Sequence, residues 1–183
     1  MEQNNAQTTW LNHAMKNGLI LGGIHTVVFL LLYSVLPSKL TGFSYVFVIL
    51  LLNFGFTIYQ GSQWRKEIGG FIGYGPAFKY AFMLLLFNGL VNLVVGIGIL
   101  LIDPSFPMLM AESQRDTSLY WASIFGAPAE TLEQMRDQMD LEKLAEQYTL
   151  TKSLLTFIFA VCLYAIGALI MALFIRKNQP ETM

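Results

Sequence analysis

Pro76 to Ile102 reads PAFKYAFMLLLFNGLVNLVVGIGILLI and carries one charged side chain, Lys79, close to its beginning. An α-helix rises about 1.5 Å per residue and the hydrocarbon core of a bilayer is about 30 Å thick, so this run crosses a membrane with length to spare for tilt. Lys79 can leave its stem in lipid and lift its ammonium to the headgroups. The stretch fixes the solvent of the fold as lipid, and the rest of the chain agrees. Of 183 residues, 55% are hydrophobic and 13% charged, against about a quarter charged in ordinary soluble domains, and mean hydropathy is +0.53.

Three further runs of this kind flank the first. On the N-terminal side, residues 14–36 are apolar up to Pro37, which cannot continue a helix, and residues 43–61 are almost continuously apolar or aromatic. A signal peptide would have an apolar region of about 7–15 residues and a small-x-small cleavage site, which the first run lacks. On the C-terminal side, Leu154 to Ile175 is apolar and ends at Arg176 and Lys177. The expected fold class is therefore all-α: an integral membrane four-helix bundle forming a single membrane domain over 1–183, with spans at about 14–36, 43–61, 76–102 and 152–175.

Residues 62–75 connect the second and third spans. They hold Trp64, Arg65, Lys66 and Glu67, then GGFIGYGP (Gly69 to Pro76), a flexible turn until Pro76 offers a helix start. Tyr74 and Phe78 suit anchors at the membrane interface. The string lacks the GxxxxGK[ST] pattern of a phosphate loop.

Residues 103–151, between spans three and four, hold most of the acidic side chains and are expected outside the membrane as an amphipathic helical hairpin. Pro107 to Met110 and Leu119 to Phe125 suit a loop lying against the bilayer interface, where Trp and Tyr concentrate. From Pro128 the composition turns helical, with Leu132, Met135 and Met139 at i, i+3 and i+7 on one apolar face. Leu141, Leu144, Ala145 and Tyr148 continue an apolar face around the axis, which lets the helix run unbroken into the last span.

Basic residues near span ends collect on the cytoplasmic side. Lys16, Arg65, Lys66, Lys79, Arg176 and Lys177 fall on one side, with Lys39 in a short loop on the other. Both termini are expected in the cytoplasm of a bacterial inner (plasma) membrane, and 103–151 in the periplasm.

Four strings resemble, in order, a family of small bacterial inner-membrane proteins, domain of unknown function 4199. They are KNGLILGG (Lys16 to Gly23), GGFIGYGPAFKYAF (Gly69 to Phe82), IDPSF (Ile102 to Phe106) and GAPAETLEQM (Gly126 to Met135). The resemblance implies a four-span protein and carries no established activity. The aromatic-rich Leu119 to Phe125 departs from the family pattern.

Inside the spans, His25, Asn53, Asn88 and Asn92 share one depth, and Asn88 and Asn92 lie on one helix face with Gly96. A polar side chain facing lipid loses water without replacement, so these four are expected to turn inward as an intramembrane polar cluster. The structural reading is hydrogen-bond glue worth roughly 0.5–2 kcal/mol per contact; the functional one is a small site with His25 as proton acceptor. No Asp or Glu lies within the expected spans, whereas proton and cation coupling usually depends on an intramembrane carboxylate. Gly18 and Gly22 form GxxxG, and Ala168 with Ala172 a weaker small-xxx-small pair, both read as packing seams within the monomer.

No catalytic residue, cofactor or metal site is expected. HExxH, GxSxG and EF-hand spacings do not occur, and the lone Cys162 makes no intramolecular disulfide. The acidic positions of the hairpin read as a solvated face. The expected partners are the lipid bilayer and a membrane or periplasmic protein docking on Leu132, Met135 and Met139, with a homo-oligomer compatible and nucleic acid not expected. A small transporter or channel subunit built on the midplane cluster is the alternative. A membrane enzyme using Asp103 or the acidic hairpin is the remaining one.

Overall fold

The computed structural model describes residues 2–179, with side chains from Trp10 onward; Met1 and residues 180–183, included in the expected single domain, lie outside the described residues. Seven helices follow one another: α1 (Glu2–Val35), α2 (Phe43–Glu67), α3 (Tyr74–Ile102), α4 (Phe106–Ile124), α5 (Ala129–Gln138), α6 (Leu141–Ala145) and α7 (Leu150–Ile175), with a 3-10 turn at Pro37–Lys39. Four are long and apolar enough to cross a membrane: Trp10–Val35, Phe43–Glu67, Tyr74–Ile102 and Leu150–Ile175. They leave Leu51, Val94, Phe159, Leu163 and Phe174 exposed. Apolar patches of that extent are untenable in water and are the expected surface in lipid. This is an all-α membrane fold.

By contacts the chain forms two compact units. The first comprises Met1–His25, Leu50–Asn92 and Phe157–Met183. Its core is built on Leu21, Tyr80, Leu84, Met171 and Ile175, all fully buried. Small residues let its helices approach. A Cβ on Gly18 would stand 2.5 Å from the Leu84 carbonyl oxygen, and one on Gly22 2.6 Å from Val91 Cβ. The GxxxG pair is thus a seam between α1 and α3 of one chain. Ala168 and Ala172 are likewise fully buried in this unit.

In the same unit, α2 runs past Gly61, where the second span was expected to end, to Glu67. Two side chains of the expected connector account for the extension. Trp64 is buried and stacks on Tyr80 with ring centroids 4.9 Å apart. Arg65 donates to the Ile175 carbonyl at 2.6 Å, satisfying one of the free carbonyls at the end of α7. The glycine-rich turn follows. Gly69 and Gly70 have φ of 101° and 87°, conformations that a side chain would strain. Ile72 is buried and forms an isolated antiparallel bridge with Lys177, each backbone N–H donating to the other's carbonyl at 3.0 Å.

The second unit comprises Thr26–Ile49 and Leu93–Thr156. Here the expected loop is instead a helix: Pro107 to Met110 and Leu119 to Ile124 are the two ends of α4, and Phe125 is its C-cap. Pro107 stands in the first turn, where its missing N–H has no carbonyl to serve, so it starts the helix. The aromatic run belongs to a helix buried at Phe106, Ala111, Ser113 and Leu119. Ser113 is fully buried and ties α4 to the α1–α2 turn: it accepts from the Thr41 N–H at 3.1 Å and donates to the Ser38 carbonyl at 3.1 Å. Phe106 stacks edge-on against Phe29 and Tyr33 of α1. The Tyr33 hydroxyl donates to Asp103, whose other oxygen accepts from the Ser105 N–H and hydroxyl at 2.8 and 2.6 Å. These bonds, that from the Ser105 hydroxyl first, hold the Asp103 carboxyl below its ordinary value.

The amphipathic helix does not run unbroken into the last span. It breaks at Met139, and Asp140 caps α6 by accepting from the backbone N–H groups of Glu142 and Lys143. Tyr148 fastens the following turn to α4 by donating to Gln114 Oε1 at 2.9 Å.

Candidate polar site within the membrane-spanning helices

The four midplane residues meet inside the first unit. Asn88 on α3 donates to Asn53 Oδ1 on α2 at 3.0 Å, and Asn92 donates to Asn88 Oδ1 at 3.0 Å and to the Asn88 backbone carbonyl at 2.9 Å. Asn92 Nδ2 also stands 3.5 Å from His25 Nδ1 on α1. Asn88 and His25 are buried, Asn53 and Asn92 half-buried. Both protons of the Asn92 amide are engaged by Asn88, and Nδ1 is the ring nitrogen that His25 turns toward this pair. The other ring nitrogen, His25 Nε2, is buried without a hydrogen-bond partner among the described residues, as is Thr57 Oγ1, one turn from Asn53 on α2. A buried polar atom left unpaired costs about 1–3 kcal/mol. The cluster therefore joins three helices and also leaves one ring nitrogen buried and unpaired.

Residues of the spans adjoining the cluster differ in whether they reach it. Tyr164 of α7 enters the unit: its ring fills the notch over Gly89, where a Cβ would meet it at 2.6 Å. Cys162 is exposed on the lipid side of the same helix and takes no part. A Cβ on Gly96 would meet nothing within 4 Å.

A second polar group in this unit was not expected from sequence. His13 Nδ1 lies 2.9 Å from the Tyr80 hydroxyl and 3.1 Å from Asn17 Nδ2, which also donates to the His13 carbonyl at 2.9 Å. Nδ1 accepts, and Nε2 faces Glu67 Oε1 at 3.9 Å. Glu67 is a carboxylate at the very end of a spanning helix, which the shorter expected span excluded. The missed signal is a stride of four. His13, Asn17, Leu21 and His25 form one stripe of α1, as Tyr80, Leu84, Asn88 and Asn92 do on α3. Between the two polar groups, Leu21 and Leu84 are fully buried.

The proposed docking residues lie in the second unit. Leu132, Met135 and Met139 are half-buried while the other residues from Thr131 to Asp140 are exposed. α5 packs against α4, so the apolar face is partly covered from within the chain. Among the described residues no three His, Cys, Asp or Glu side chains converge as metal ligands.

In comparison with known proteins, the family described as "Protein of unknown function (DUF4199)" matches residues 16–177. No curated protein and no solved structure matches the chain.

Proposed function

The chain belongs to the DUF4199 family of proteins of unknown function, and on that premise we propose a non-enzymatic, multi-pass protein of the bacterial inner membrane that acts through a protein partner docked on its periplasmic segment. One observation carries this reading. Neither α5 nor α6 has a buried residue, although Leu132, Met135, Met139, Leu141 and Leu144 repeat as an apolar face. An amphipathic pattern is favourable where that face is covered, and these two helices leave it half open. Methionine side chains repack readily on other surfaces. The basic residues near the span ends support cytoplasmic termini.

The test is a photo-reactive residue at Met135 in native membranes. A single protein adduct is expected, lost in Leu132→Asp at unchanged abundance of the chain. Adducts with lipid alone would sink the reading.

One observation favours a small transporter or channel subunit as a second reading: the unpaired Nε2 of His25 beside three asparagines. Four helices with so few polar positions enclose little water, so transport would run through an oligomer. His25→Ala should then abolish flux into proteoliposomes, and unchanged flux would count decisively against it.

A further inference from the structure

The second unit contains a cavity of about 750 Å³, within the ~300–1,000 Å³ range of small-molecule sites. Its floor is Val28, Leu31, Leu32 and Val48, and its rim includes Lys39, Ser44, Asp116 and Tyr120. α1 ends at Val35 and α2 begins at Phe43. At about 1.5 Å per residue, Val28 and Val48 lie roughly 8–10 Å inside those helix ends. The floor thus reaches hydrocarbon depth, while Lys39 in the turn and Asp116 on α4 stand at headgroup level. Leu31, Phe43 and Val48 are exposed on spanning helices, so the cavity is open to lipid as well as to the aqueous side.

A ligand entering from the bilayer with an apolar body below and a polar end above is an amphiphile. The rim charges narrow its head. No carboxylate among the described residues lies within ion-pair distance of Lys39, leaving its ammonium available for a phosphate. Asp116 meets Arg115 at 3.6 Å and remains about half exposed, free to accept from a further donor. One cation and one carboxylate on the same rim complement a zwitterion whose positive end carries N–H groups. We propose that this cavity is a binding site for a phospholipid with a zwitterionic, primary-amine headgroup, its phosphate on Lys39, its ammonium on Asp116 and an acyl chain along Val28, Leu31 and Val48.

The test is native mass spectrometry of the full chain, delipidated in detergent and supplied with phosphatidylethanolamine or phosphatidylglycerol of identical acyl chains. One phosphatidylethanolamine is expected to survive the collision energy that strips the others, with phosphatidylglycerol held less. Lys39→Ala and Asp116→Asn should each weaken retention about tenfold, the factor carried by one charge-assisted hydrogen bond. Val48→Trp, which fills the floor and leaves both charges, should also displace the lipid. Leu163→Ala, on a lipid-facing position of α7 outside the cavity, should leave retention unchanged. Equal retention of the two lipids, or retention indifferent to Lys39 and Asp116, would reduce the cavity to ordinary lipid contact and overturn the proposal.

Discussion

Single glycines on α1 differ sharply in what surrounds them, and those differences separate packing from sequence motif. A Cβ at Gly18 would press on the Leu84 carbonyl at 2.5 Å and on Phe87 Cβ at 2.7 Å, and backbone yields less readily than a side-chain tip. At Gly23 nothing lies within 4 Å. Gly18→Ala should therefore destabilise the chain by about 1–3 kcal/mol, the usual range for overpacking. Gly23→Ala should stabilise it by up to about 1 kcal/mol, through helix propensity. Unfolding midpoints of both variants in one detergent check the pair, and equal shifts would contradict the seam between α1 and α3. His25 was legible as a buried polar residue because its run is otherwise apolar. His13 and Asn17 were not, because they sit where the polar N-terminal segment meets the span, and their partners Tyr80 and Glu67 come from two other helices.

Among the elements, the spanning helices were the most legible, since their length and composition answer to one solvent. Their ends were less so. The continuation of α2 to Glu67 depends on Trp64 stacking on Tyr80 and Arg65 reaching α7, contacts that exist only after folding. For α4 the apolar cluster at Leu119 to Phe125 suggested a loop, whereas the segment is helical and its decisive residue was Ser113, buried against the α1–α2 turn. The break before α6 had a local signal in Asp140, a residue suited to an N-cap. Its bonds from the Lys143 and Glu142 N–H groups hold its carboxyl below the ordinary value of 3.8. Because the folded value is the lower one, the cap is complete above 3.8 and is lost as pH falls through the folded value. Asp140→Ala at neutral pH and the parent chain at low pH should both show several-fold lower amide protection at Glu142 and Lys143, measured against intrinsic exchange at the same pH, with α4 protection unchanged. Protection that ignores both changes would remove Asp140 as the cap.

Over the whole molecule, charge is distributed unevenly. Nine of the chain's 12 acidic residues lie between Asp103 and Glu146, and the basic residues near the ends of the spans lie mainly at the other ends of those helices. With the proposed orientation, and with Cys162→Ser as background, a membrane-impermeant maleimide should label Glu133→Cys in intact spheroplasts and reach Asn178→Cys only after lysis. The reverse pattern would invert the topology and leave the helices untouched. Within the first unit, α1 and α3 meet through His13 with Tyr80 and through His25 with Asn92, each pair separated by 67 positions in sequence. Two contacts three turns apart with one offset make the parallel pair a vernier. A slip of one turn would bring His25 level with Asn88, but it would also set His13 beside Pro76 and lift Gly18 out of its notch. Sliding between these helices is locked at both marks at once, so any piston-like motion in this half of the protein must carry α1 and α3 together as a single strut.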